Sequence, residues 1–223
     1  MIVVRTLSAQ AYELMRDRIL IGALAPGVPL RQDTIALELG VSKIPLREAF
    51  TRLEQDGLLS SHPNRGFVVR PLSTAEAEEV FALRLKLEPD AAAQASLMAT
   101  EEDRDQARQA LSALEQMQDE GETVGHVAHN RAFHMALIRP GAGLMTRQVL
   151  ERLHIVAERY VHVHLEPDGR NARAKQEHRE LLELWISGAA EQVATATKDH
   201  ISGTLKDLRK QLNGDVFVDT SAY

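Results

Sequence analysis

PGVPLRQDTIALELGVSKIPLREAFTRLEQDGLLSSHPNRGFVVR, residues 26–70, carries the punctuation of two short helices, a tight turn between them and a hairpin. The first helix is predicted over residues 32–39, because Gly40 follows it and glycine reaches the left-handed backbone that ends helices at little steric cost. Ser42 is a suitable cap for the next helix, which starts at Lys43. There Leu46, Ala49, Phe50 and Leu53 fall at i, i+3, i+4 and i+7, so one stripe faces a core while Lys43, Arg47 and Thr51 project away. Pro45 is tolerated because first-turn amides have no partner within the helix. Gly57 ends the helix. Residues 58–61 and 67–70 then alternate enough to pair as strands around His62-Pro63-Asn64-Arg65-Gly66, with Arg65 at the tip. Elements in this order predict a winged helix whose outward helix face suits a DNA groove.

Residues 1–71 contain nine basic and seven acidic residues, a net of +2, which leaves −8 for the rest of a chain whose total is −6. An acidic remainder is repelled by phosphates, so only the amino-terminal part is expected to touch a duplex. A length of 223 residues, with 44% hydrophobic and 26% charged residues, suits two globular domains, divided here as 1–71 and 72–223. Cysteine is absent, which excludes disulfides, thiolate metal sites and zinc fingers and suits a reducing compartment. Arg5 interrupts the amino terminus, and no apolar run is long enough for a signal peptide or membrane span, so a cytoplasmic protein is expected.

After Arg70-Pro71-Leu72, Ser73 can cap a helix, and helical patterns recur at 74–98, 101–120, 123–138, 143–165, 170–188 and 190–212. Strand signals are absent there, aromatics are sparse, and Leu, Ala, Met and Val fill the apolar stripes, as in a closely packed helical bundle. Pro89 is expected to kink its helix without breaking it. Trp185 with Leu181, Leu182 and Leu184 is expected in the core. The fold class is therefore mainly α: an amino-terminal winged helix-turn-helix followed by an all-α helical bundle.

Within the bundle, Asn130 and His134 lie four residues apart on one helical face, and His178 and His200 come from two later helices. Imidazoles from separate helices are good ligands for zinc, nickel, copper, iron or manganese and leave coordination positions open. Spacing alone leaves surface or core roles for the same residues. His126, His129, His154, His162 and His164 are assigned structural or surface roles.

PLREAFTRLEQDGLL followed by NRGFVV resembles the recognition helix and wing of GntR-type bacterial transcription regulators. The order EVFALRLKLEP, NRAFHMAL, EHRELLEL and TATKDHI resembles the FCD effector domain of their FadR-like subgroup. The resemblance implies a DNA-contacting set of Arg31, Ser42, Lys43, Pro45, Arg47, Thr51, Asn64, Arg65 and Gly66. Lys43 and Arg47 would reach the major groove, while Arg65 and Gly66 would approach the minor groove or backbone. It also implies a divalent metal, zinc foremost with nickel, manganese or iron as alternatives, held by Asn130, His134, His178 and His200. Asn130 stands where the family often has aspartate, so this site would lack a negative ligand and lean on an effector carboxylate to neutralise the ion. Arg84 occupies the position of an effector-binding arginine, although Glu88 at i+4 also offers it an ordinary salt bridge.

These readings predict a metabolite-responsive regulator that binds a palindromic double-stranded operator as a homodimer, with a small carboxylate or related metabolite as effector and no membrane partner. It is not expected to be an enzyme. Competing readings are a metal-dependent enzyme using the three histidines and an architectural DNA-binding protein that ignores metabolites.

Overall fold

Gly40 adopts φ 64° between α2 (Gln32–Leu39) and α3 (Lys43–Gln55), and this left-handed residue turns the second helix across the first. The structure is a computed structural model and describes residues 5–63, 66–121, 123–164 and 170–212. Leu46, Ala49, Phe50 and Leu53 of α3 are fully buried, while Lys43, Arg47 and Thr51 are exposed, as the periodicity requires. Ser42 occupies the cap position of α3, but its side chain makes no capping hydrogen bond. The wing consists of β2 (Leu59–His62) and β3 (Gly66–Val69), antiparallel with Leu59 opposite Val69 and His62 opposite Gly66. Both strands are offset by one residue from the expected spans. Leu58 nevertheless stays tied to the hairpin, since its carbonyl accepts from the Arg70 N–H at 3.0 Å.

Two elements go beyond the sequence expectation. β1 (Pro29–Leu30) adds to the other edge of β3, giving the order β1-β3-β2; two residues are too short to carry a periodic signal. α1 (Leu7–Leu20) is capped by Thr6, whose hydroxyl accepts from the Ala9 N–H, and buries Tyr12, Met15 and Ile19 at i, i+3 and i+7. Tyr12 donates to Asp56 at 2.5 Å, which fastens α1 to the end of α3, and Phe50 meets Phe67 edge-on with ring centroids 5.3 Å apart. The recognition-type helix is thus wedged between α1 and the wing, and each large buried side chain contributes about 1.5–3 kcal/mol to holding it there.

The chain divides after Leu72 into two compact units. The second is helical throughout its described residues: α4 (Thr74–Met98), α5 (Glu101–Glu120), α6 (Thr123–Ile138), α7 (Leu144–His164), α8 (Arg170–Ser187) and α9 (Ala190–Leu212). Ser73 caps α4, which runs through Pro89 unbroken and packs against α6, α7, α8 and α9. At the turn after α6, a Cβ on Gly141 would lie 2.4 Å from the Ala95 backbone nitrogen, so only glycine permits this approach to α4. Trp185 is fully buried among Ala92, Ala95, Leu114, Phe133 and Leu137, and its indole donates to the Leu137 carbonyl at 2.9 Å. Leu181 and Leu182 join this core, with Leu184 partly buried beside it. Among the described residues no helix is long and apolar enough to cross a membrane.

Candidate functional site

Arg31, Lys43 and Gly66 come from the start of α2, the start of α3 and the wing, yet they line one open groove together with Asp33 and Thr34. Lys43 Nζ lies 2.5 Å from Asp33 Oδ1 with both side chains largely in water. An exposed pair of this kind contributes at most about 1 kcal/mol, so its cation can exchange the carboxylate for a phosphate. Arg47 and Ser42 are exposed beside it, and Pro45 is half-buried in the first turn. Thr51 donates its hydroxyl to the Arg47 carbonyl at 3.0 Å, so the hydroxyl is left as an acceptor. Asn64 and Arg65 lie outside the described residues.

The second constellation lies inside the helical unit. α6 brings His134, α8 brings His178 and α9 brings His200 so that one ring nitrogen from each falls within 4.8 Å of the others. His134 and His178 are buried, and His200 is partly so. The three imidazoles border a cavity of about 60 Å³, which Asn130, Arg84, His126 and Thr204 also line. Glu177 accepts from His200 Nδ1 at 2.7 Å, which orients the ring and leaves its Nε2 for a ligand position. Burial, followed by the neighbouring His178, His200, His154 and Arg84, holds His134 well below the usual imidazole range. Neutral imidazole is the metal-ligating form, so the donor set fits a divalent ion.

Arg84 is shared between the cavity and a carboxylate. It lines the cavity and also grips Glu88 in a fork, Nε to Oε1 at 2.5 Å and Nη2 to Oε2 at 3.3 Å. Burial works to raise the Glu88 pKa, but Arg84 and His154 overcome it and hold the carboxyl well below its usual range. His154, for which the sequence left structural and surface roles open, takes a buried structural one. It is 2% exposed, its Nε2 lies 3.3 Å from Glu88, and its ring stacks on His134 with centroids 5.4 Å apart. Burial lowers its pKa despite the carboxylate. Arg84, Glu88 and His154 therefore form a continuous buried row ending on a candidate ligand. The Arg84 to Glu88 spacing was a visible signal for the first half of this row, whereas nothing local in α7 marks His154. His126 is half-buried and shares a hydrogen bond with Gln118 at 3.0 Å; His129 bonds the Gly125 carbonyl. The side chains of His162 and His164 lie outside what the structure describes.

Comparison with known proteins gives two family matches: the bacterial regulatory proteins of the gntR family over residues 7–69 and the FCD domain over residues 79–203. The HTH-type transcriptional repressor RspR of Escherichia coli (strain K12) is 26% identical over 211 residues, 93% of this chain and 92% of that protein. The HTH-type transcriptional regulator McbR of the same strain is 29% identical over 150 residues, covering 67% and 68%. Among solved structures, E. coli McbR/YncC superposes with a TM-score of 0.78 at 24% identity, covering 94% of this chain and all of that one. A putative GntR regulator from Rhodococcus sp. RHA1 gives 0.77 at 20% identity, covering 91% and 97%. At these identities the superpositions speak to the fold alone.

Proposed function

The chain belongs to the gntR family of bacterial regulatory proteins and carries an FCD domain, and from that premise we propose a metabolite-responsive regulator built from a DNA-reading domain, residues 1–71, and an effector domain, residues 72–223. DNA binding and transcription regulation come with the family. The finer reading is that Arg31, Ser42, Lys43, Pro45, Arg47 and Thr51, with Asn64, Arg65 and Gly66 of the wing, contact a palindromic operator. One winged helix reads few base pairs, so a homodimer on two half-sites supplies the affinity.

The observation that carries the effector reading is that Arg84 and three histidines share one buried cavity. His134, His178 and His200, with the Asn130 amide beside them, would hold a divalent ion, zinc foremost. When bound, such an ion supplies a positive centre for an anionic ligand. Arg84 supplies a planar guanidinium fork suited to a carboxylate. At about 60 Å³ the cavity has room for an ion and a few waters, well short of the roughly 300–1,000 Å³ of a typical small-molecule pocket. An organic acid therefore has to open the bundle to enter. That requirement gives it the differential affinity for two conformations without which a ligand shifts nothing.

The test combines elemental analysis with thermal melting. Chelator-treated and zinc-loaded chains are melted with a panel of small organic acids, alongside His178→Ala. We expect bound metal in the parent chain, its loss in the variant, and stabilisation by at least one acid only when metal is present. Equal metal content in parent and variant would remove His178 from the site. Stabilisation without metal would detach the effector from the ion.

A further inference from the structure

Ile44 is an aliphatic side chain on α3 that neither packing nor the contacts described so far account for. The buried residues Leu46, Ala49, Phe50 and Leu53 define the inward direction of this helix. At about 100° per residue, the opposite direction falls within roughly 10–20° of Ile44, with Thr51 and Glu48 about 30° to either side. Lys43 lies about 110° round from it, on the side of α2, and its salt bridge with Asp33 of that helix agrees with this placement. The middle of the outward face is therefore occupied at its amino-terminal end by an aliphatic group, and Ile44 is 73% exposed. Its neighbours on that face, Arg47, Glu48 and Thr51, are all polar and exposed.

Resting on the DNA-binding reading, we infer that Ile44 reads a thymine by its C5-methyl group. The amino-terminal residues of a recognition helix are those that meet base edges, and Ile44 is the second residue of α3. Isoleucine has no donor or acceptor. On the floor of the major groove, the apolar group it can match is the thymine methyl; every other edge presents a donor or acceptor that an aliphatic side chain would desolvate without replacement. Ile44 thus adds sequence discrimination at a position where Lys43 and Arg47, as cations, add attraction to the duplex. A contact with another protein is the competing occupant of this side chain.

The full-length chain is used to select binding duplexes from a randomised pool, and each thymine of the recovered site is replaced singly by deoxyuridine, which lacks only the methyl. We expect the parent chain to lose about fourfold in affinity at one thymine of each half-site, the factor associated with burying one methyl. Ile44→Ser is expected to melt at the parent temperature, to bind the thymine site more weakly, and to be indifferent to that replacement. A parent chain that tolerates deoxyuridine everywhere, or an Ile44→Ser chain that keeps the parent's sensitivity, overturns the inference while leaving DNA binding intact. Failure to enrich any duplex would sink the DNA-binding reading and this inference with it.

Discussion

Lys43 and Asp33 meet with about seven-tenths or more of each side chain in water, whereas Arg84 and Glu88 meet with less than a tenth exposed. The N–O separation is 2.5 Å in both pairs, so the contrast comes from solvent. Water screens the first pair until it is nearly neutral in energy, which leaves Lys43 able to exchange partners. The buried pair has no such freedom: two desolvated charges hold each other in place, and removing either strands the other. A surface that must bind and release a polyanion benefits from the first arrangement. A pocket that must keep a guanidinium aimed at one spot benefits from the second.

The sharpest break of this contrast is Glu88→Gln. It leaves Arg84 buried without its counter-charge and is expected to cost the helical unit about 3–5 kcal/mol, read by denaturant unfolding. A loss under 1 kcal/mol would show that the row tolerates an unpaired guanidinium and that solvent does not separate the two pairs. Arg47→Ala should leave the melting curve unchanged and weaken operator binding by about 1–3 kcal/mol in a titration at fixed salt. Unchanged affinity would move the reading face elsewhere on α3.

Acid offers a third handle. His134 and His154 have depressed pKa values in the folded chain, so the unfolded chain takes up protons that the folded chain refuses. Their contribution is present above the unfolded histidine value, near 6.5, and is lost as pH falls below it. Glu88, also depressed, loses its contribution only below the ordinary carboxylate range, so the interval from about pH 6.5 to 5 reports on the histidines. Metal-free protein melted across that interval should lose stability with a slope bounded near 1.4 kcal/mol per pH unit for each histidine kept neutral. A flat profile would mean that both rings accept protons in place. The smallest effect belongs to Asp33→Asn, which should change stability by less than about 1 kcal/mol. By releasing Lys43 and removing a negative charge from the groove, it should also tighten DNA binding at low salt. Weaker binding would make Asp33 a positioner of Lys43.

The two regions also differ in how far they could be read from the chain. The burial of Leu46, Ala49, Phe50 and Leu53 follows from spacing within one helix, so the exposed side of α3 was legible at once. The same periodicity is present in α1 at Tyr12, Met15 and Ile19, so that helix too is marked along the chain. The helical spans of the second unit were legible because glycine and proline punctuate them, as at Gly121 and Gly188. Asn130 and His134 share a face by local spacing. Their meeting with His178 and His200 was suggested by family resemblance, since no local rule relates residues of three different helices.

The limits of α2 to α9, the apolar stripe of α3 and the absence of cysteine chemistry could be read along the chain, because they depend on neighbours within a few residues, where backbone sterics and periodicity act. Packing between helices, by contrast, stacks His154 on His134, brings Glu177 to His200 and leaves a cavity of about 60 Å³ beside these rings. It also turns Lys43 towards Asp33. Each of these rests on how one packed element rotates against another, and that rotation is set by the summed fit of many buried side chains rather than by any residue's own sequence neighbours.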